Sequence, residues 1–277
     1  MDARSHPLPI DAQARRGSPK SLIGDDGGDA DHDAGAARHP DAMRAGVAAL
    51  QELCVASLGG DGTTMEPAWA MALEASFGSV GRWREAFVAM RTAHGGAPGW
   101  LLLALRPRDG TLVNQWAADP VHALAAGVAV LAPDLHGVPR HDGAAARAGI
   151  DALVARIDWA RVCARYQAAV HAASEPFAVA PQQVAGRLPI DVRRAGVYAQ
   201  ASQVIEGARW RDPAQVAHWA GELPAARGVV VYCVRGHEVS RATALRLRAA
   251  GIDARFLRGG IDAWAAAGRP LADKPVR

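Results

Sequence analysis

The chain has 277 residues, half of them hydrophobic and 21% charged, with a formal net charge of +3. That is enough for two modest domains, and arginine is spread without a basic stripe interleaved with aromatics, so nucleic acid is not an expected partner. The N-terminus lacks the apolar core of a secretory signal, the longest apolar run (123–132) is too short to span a bilayer, and Cys54, Cys163 and Cys233 form no CxxC pair; a cytoplasmic protein with no membrane partner is expected.

Residues 1–40 are rich in Asp, Gly, Ala, Ser and Pro without periodicity and are expected to be poorly ordered. Their acidic run 24–33 holds five aspartates. A calcium loop starting at Asp29 needs Gly at its sixth position and Glu at its twelfth, where Ala34 and Pro40 stand, so the run reads as a solvated linker. After Pro40, Met43, Val47, Leu50, Leu53 and Cys54 share one helical face, which ends at Gly59-Gly60-Asp61-Gly62. Helices are expected over 67–76 and 80–92, then strands over 99–105 and 111–116 joined through the hairpin pair Asp109-Gly110. An apolar run at 127–131 completes a small antiparallel sheet, and helical segments follow over 143–156 and 158–172.

The segment 173–184, with Pro176 and Pro181, reads as a linker. Beyond it short strands (188–192, 229–232, 253–257) alternate with helices over 213–221 and 261–267; Asp212-Pro213 supplies an N-cap and a first-turn proline. This pattern predicts an α+β domain over 41–172, helices plus a small antiparallel sheet, followed over 185–277 by an α/β domain with a parallel sheet flanked by helices.

The most informative stretch is Val229–Ser240. A continuous apolar run stops at Cys233, a polar loop with Gly236 follows, and a helical pattern runs from Ser240 to Gly251. A thiol at a strand–helix junction meets converging backbone N–H groups and the positive end of a helix dipole, which favour the thiolate. Cys233 is therefore the expected catalytic residue, and Val234, Arg235, Gly236, His237, Glu238, Val239, Ser240 and Arg241 are the expected substrate-binding residues. His237 reads either as an acid–base or orienting group or as an exposed loop histidine.

Several motifs around this loop carry a family resemblance. Pro189-Ile190-Asp191-Val192-Arg193, Ile205-Glu206-Gly207-Ala208, Val231-Tyr232-Cys233 with Gly236, and Leu257-Arg258-Gly259-Gly260-Ile261-Asp262-Ala263-Trp264 with Gly268 and Pro270 resemble the rhodanese domain. The resemblance implies a persulfide on Cys233, cradled by the N–H groups of 234–239, with a small sulfur donor and a thiol or cyanide acceptor as partners. Family members often carry an arginine where this chain has Glu238. A carboxylate at the mouth of the loop would disfavour anionic donors, so weak activity on thiosulfate is expected beside a persulfide-carrier role.

Residues 46–170 resemble the iron/manganese superoxide dismutases through 57–62, Ala75-Ser76-Phe77-Gly78-Ser79, Gly99-Trp100-Leu101, Leu112-Val113-Asn114-Gln115-Trp116 and Ile157-Asp158-Trp159 near Tyr166. That family binds its metal through three histidines and an aspartate. The four positions fall here on Asp26, Gln51, Asp134 and Val138, so the ligand set is degenerate and no cofactor is firmly expected. Two other readings stay open: a dismutase with iron or manganese on altered ligands, drawing on Asp134 with His94, His122, His136 or His141, and a non-enzymatic redox or sulfide sensor. The resemblance also implies a homodimer.

Overall fold

The computed structural model describes residues 32–60, 65–94, 99–125, 127–133, 135, 143–224 and 227–275. The chain divides into the units Met1–His39 and Pro40–Arg277. The expected loose segment lies outside the described residues as far as position 31. From there the structure differs from expectation: helix α1 (His32–Ala56) starts before Pro40 and carries it inside. A proline removes one i→i−4 hydrogen bond from a helix, and this helix continues through the loss.

Helix α2 (Pro67–Phe77) opens on a proline and closes at Gly78, which has φ +86. In α3 (Val80–Ala93) the Ser79 hydroxyl accepts from the Arg82 amide at 3.0 Å, as an N-terminal cap does. Strands β1 (Trp100–Arg106) and β2 (Thr111–Ala117) pair as an antiparallel hairpin. Gly110 takes φ +66 in the turn, and the Asp109 carboxylate accepts from the Thr111 amide at 2.9 Å. After α4 (Pro120–Ala125), β3 (Val128–Leu131) pairs with the other edge of β1, so the sheet order is β2-β1-β3. Helices α5 (Gly143–Val154) and α6 (Trp159–Ser174) close this half. Its core is aromatic: Trp69 meets Tyr166 edge-on at 5.2 Å and Trp83 meets Trp159 at 5.9 Å between ring centroids.

The expected linker 173–184 holds the end of α6, two 3-10 turns and a two-residue edge strand of the next sheet. After α6, a 3-10 turn (Glu175–Phe177) leads into β4 (Ala178–Val179), which pairs in parallel with β9 (Ala254–Leu257), and a second 3-10 turn spans Pro181–Gln183. The two prolines that suggested a linker sit in the first turns of 3-10 helices, where their fixed φ fits. The chain continues through β5 (Leu188–Asp191), α7 (Ala195–Gln200), β6 (Gln203–Ile205), β7 (Arg209–Trp210), α8 (Val216–Trp219), β8 (Val229–Tyr232) and α9 (Glu238–Ala249) to β9, then α10 (Gly260–Ala266) and β10 (Leu271–Asp273). The order β4-β9-β8-β5-β7 is parallel throughout, and β10 with β6 forms a separate antiparallel pair. The helix expected over 213–221 is broken into a 3-10 turn, α8 and another 3-10 turn.

The two halves share buried surface through α9. Ala242 packs into the aromatic core, while Ala68 and Met71 of α2 pack against the core that includes Val216, Val239 and Leu247. Arg246 of α9 donates to Ala75 O and to Ser76 Oγ, both at 2.9 Å. Among the described residues no helix is long and apolar enough to cross a membrane.

Candidate active site

In a parallel sheet, the loops that follow neighbouring strands collect at one edge. The register sets Asp191 beside Tyr232 and Val231 beside Phe256. The residues after β5, β8 and β9 therefore meet: Val192-Arg193, Cys233, and Arg258-Gly259-Gly260. Strand β8 is buried along its whole length, so Cys233 at its end is itself only 7% exposed. Its Sγ lies 3.3 Å from Ser240 Oγ.

The loop from Cys233 to Glu238 is held from outside by its carbonyls. Cys233 O accepts from Ile261 N at 3.0 Å and Val234 O from Asp262 N at 3.1 Å. Gly236 O accepts from Arg241 Nε at 2.9 Å, and His237 O from Arg241 N at 3.2 Å. Gly236 turns the loop at φ +68, and a Cβ there would stand 2.6 Å from Leu257 O. Helix α9 begins at Glu238, two residues before the sequence pattern places it, so its N-terminus follows the loop directly.

The structure brings 233–241 together but splits them by exposure. Arg235 and His237 are exposed and Val234 is half-buried, while Gly236, Glu238, Val239, Ser240 and Arg241 are buried. Glu238 corrects the sequence expectation. It is 8% exposed, its Oε2 has no hydrogen-bond partner among the described residues, and its charge is felt by Cys163 and Tyr166 of α6 rather than at an exposed mouth. Burial, with Glu66 and then Glu238 nearby, pushes the Cys163 thiol up to about 12, which leaves Cys163 protonated and inert. Burial likewise raises Tyr166 to about 12.

The residues that flank the loop from outside 185–277 carry no signal in the sequence. The Arg241 guanidinium reaches Ser174 Oγ at 3.2 Å and Glu175 Oε2 at 3.0 Å, and lies over the Phe256 ring. The His171 ring, in the last turn of α6, stands 6.0 Å from that of His237. Burial, then the charges of Arg241 and His237, lower the His171 pKa, with Glu175 opposing them. An unfolded imidazole takes up its proton near about 6.5. As pH falls below that value the unfolded chain binds a proton that folded His171 resists, so stability is lost on acidification and is flat above. Between pH of about 7.5 and 5.5 the melting temperature of the wild type should fall by about 1–2 °C more than that of His171→Gln, read by calorimetry. Glu175 and Asp253 are held below the carboxylate range, chiefly by hydrogen bonds from Arg241 and Arg187, and titrate in a more acid window.

Of the four dismutase ligand positions, one lies among the described residues. Gln51 lies exposed on α1 and brings a weak carboxamide donor, Val138 has no donor at all, and Asp26, Asp134 and Val138 lie outside the described residues. Of the substitute ligands, His136 and His141 lie outside the described residues, as does the side chain of His122, and His94 is exposed and stacked on Trp116 at 4.7 Å. Among the described residues, no three His, Cys, Asp or Glu side chains are grouped to hold an ion.

Comparison with known proteins assigns the halves. Residues 179–267 match the family described as Rhodanese-like domain. The superoxide dismutase [Fe] of Cupriavidus metallidurans is 48% identical over 123 residues, which cover 44% of this chain; the chain spans 62% of the length of that dismutase. Among solved structures, a full-length protein from Lactobacillus plantarum is 24% identical, covering 36% of this chain and 90% of its own, with TM-score 0.34. The thiosulfate sulfurtransferase of Pseudomonas aeruginosa is 27% identical, covering 35% and 19%, with TM-score 0.31. The chain thus carries a rhodanese-like domain at its C-terminal end, behind a region that matches an iron superoxide dismutase.

Proposed function

We propose that the protein is a sulfurtransferase that carries sulfur as a persulfide on Cys233, with a small sulfur donor and a thiol or cyanide acceptor. The observation that carries this reading is the loop itself: three carbonyls, of Cys233, Val234 and Gly236, are held by Ile261 N, Asp262 N and the Arg241 side chain. A loop with its carbonyls engaged outside turns its N–H groups inward, to the side on which an anionic sulfur can be stabilised, and α9 adds the positive end of its dipole. In the first step the Cys233 thiolate attacks the sulfane sulfur of thiosulfate; the S–S bond of the donor breaks and sulfite leaves with its electron pair. In the second step cyanide attacks the outer sulfur of the persulfide; that S–S bond breaks, thiocyanate leaves and the thiolate returns. With Glu238 turned toward α6, the exposed groups beside the loop are Arg235, His237 and Asp262, and the Asp262 carboxylate lies 3.8 Å from Arg235 Nε. The expectation of weak thiosulfate activity no longer rests on Glu238, which is buried; the exposed carboxylate beside the loop is that of Asp262.

Cys233→Ser should lower thiosulfate-to-cyanide turnover at least about a thousandfold and abolish the persulfide seen by mass spectrometry on the 233 peptide. Turnover retained in that variant would remove Cys233 from the reaction. The identity to an iron superoxide dismutase favours a second reading, dismutation of superoxide at a metal in the first half of the chain. The poor donor set argues against it, and stoichiometric iron or manganese in the purified protein, with superoxide consumption, would reverse that preference.

A further inference from the structure

The dismutase-like half ends in a helix that touches the cysteine loop. Its last turn and the 3-10 turn after it supply His171, Ser174 and Glu175, all outside the residues 179–267 of the rhodanese-like domain. Glu175 makes two ion pairs at once. One carboxylate oxygen meets Arg241 Nη1 of α9 at 3.0 Å, and the other meets Arg258 Nη2, just ahead of Gly259-Gly260. These are the two segments that flank the loop of Cys233. Arg241 in turn holds Gly236 O through Nε, and the residues after Gly259-Gly260 hold Cys233 O and Val234 O through the amides of Ile261 and Asp262. The carboxylate of Glu175 thus pairs with Arg241, which itself holds Gly236 O, and with Arg258, which lies three and four residues ahead of the amides that hold Cys233 O and Val234 O. It lies 66 residues from Arg241 and 83 from Arg258 in sequence.

We propose that Glu175 is a positioning residue for the Cys233 loop, so that the turn joining the two halves, outside residues 179–267, completes the sulfur site. Glu175 touches neither the thiol nor a sulfur donor in this scheme; it acts through Arg241 and Arg258, by keeping α9 and the 258–262 segment at a fixed separation. Loop N–H groups stabilise a developing charge only when they are already aimed at it, so a loosened loop loses rate rather than donor binding. The proposal uses the Cys233 reading for its activity arm alone.

The test uses the full chain with Glu175→Ala, Glu175→Gln and, should the alanine variant fail to fold, Arg258→Gln, which cuts one side of the bridge at an exposed side chain. Hydrogen exchange followed by mass spectrometry is expected to show amides of 233–241 and 258–262 exchanging about tenfold faster in Glu175→Ala, with the β1–β2 hairpin unchanged. Glu175→Gln, which keeps an acceptor for Arg241 but loses the charge, should fall between. The kcat for thiosulfate-to-cyanide transfer is expected to fall about tenfold, with the KM for thiosulfate changing less than twofold. A purely structural residue would instead loosen the hairpin as well. Exchange of 233–241 identical to wild type in Glu175→Ala, or in Arg258→Gln if the first is unfolded, overturns the proposal. Localised loosening in a protein that transfers no sulfur in any form leaves Glu175 as the brace of the loop and refutes the sulfurtransferase reading instead.

Discussion

Gly260→Ala is expected to lower sulfur transfer about a hundredfold or more while the rest of the fold survives. Gly260 sits at φ +61, where an L side chain is strained. A Cβ on it would stand 2.3 Å from Val234 O and 2.5 Å from Cys233 O, both backbone atoms of the catalytic loop, so neither contact can be relieved by turning a side chain. The loop must move away by the better part of an ångström, and a displacement of that order at a reacting group costs about a hundredfold in rate. Turnover measured beside near-ultraviolet circular dichroism checks this. Gly196→Ala in α7 is the control: its Cβ meets nothing within 4 Å and its φ is not positive, so its turnover should match the wild type. Wild-type turnover in Gly260→Ala would mean that the loop does not hold the reacting sulfur.

Asp191→Ala is expected to cost about 3–5 kcal/mol, because it strands a buried guanidinium. Asp191 is fully buried and Arg193 is 6% exposed. The carboxylate accepts from Arg193 through both its backbone amide, at 3.0 Å, and its side chain, and from the Tyr232 hydroxyl at 3.1 Å. That hydroxyl in turn accepts from Ile205 N at 3.1 Å, so one carboxylate anchors β5, β8 and β6 together. Burial, with Asp191 second, pushes the Tyr232 pKa well above the phenolic range, so its proton stays available for this bond. Against a total stability of roughly 5–15 kcal/mol such a loss is large, and denaturant titration should show the midpoint collapse. Removing the charge as well, in Asp191→Ala with Arg193→Met, should recover a substantial part of it. Equal destabilisation in the single and double variants would show that the stranded charge is not the cause.

Much of this site was legible because it is local. The run from Val229 to Ser240 states a buried strand, a thiol at its end, a glycine turn and a helix within twelve residues, and each of those follows from residue type and spacing. The hairpin at Asp109-Gly110 and the Asp212 cap were readable for the same reason: a side chain or a glycine acts on backbone within three residues of itself. Short elements escaped. The two-residue strands β4 and β7 have no period to detect, and β4 hid in a segment whose prolines mimic a linker. The direction of Glu238 escaped too. Its number places it on the loop, but which way its carboxylate turns depends on α6 packing against α9, and that contact joins parts of the chain some seventy residues apart.

The sequence by itself determined the helices with a small antiparallel sheet, the parallel sheet that follows them, and Cys233 as the thiol at the end of its central strand. Periodicity, turn chemistry and the strand–helix junction are short-range properties, and residue order specifies them directly. Only the tertiary structure decided that the supposed linker adds an edge strand to the sheet, that Glu238 is buried, and that Glu175 spans Arg241 and Arg258 beside the loop. Those facts depend on how two packed halves meet along α6 and α9, where the partners of each side chain are selected by burial and shape rather than by their distance along the chain.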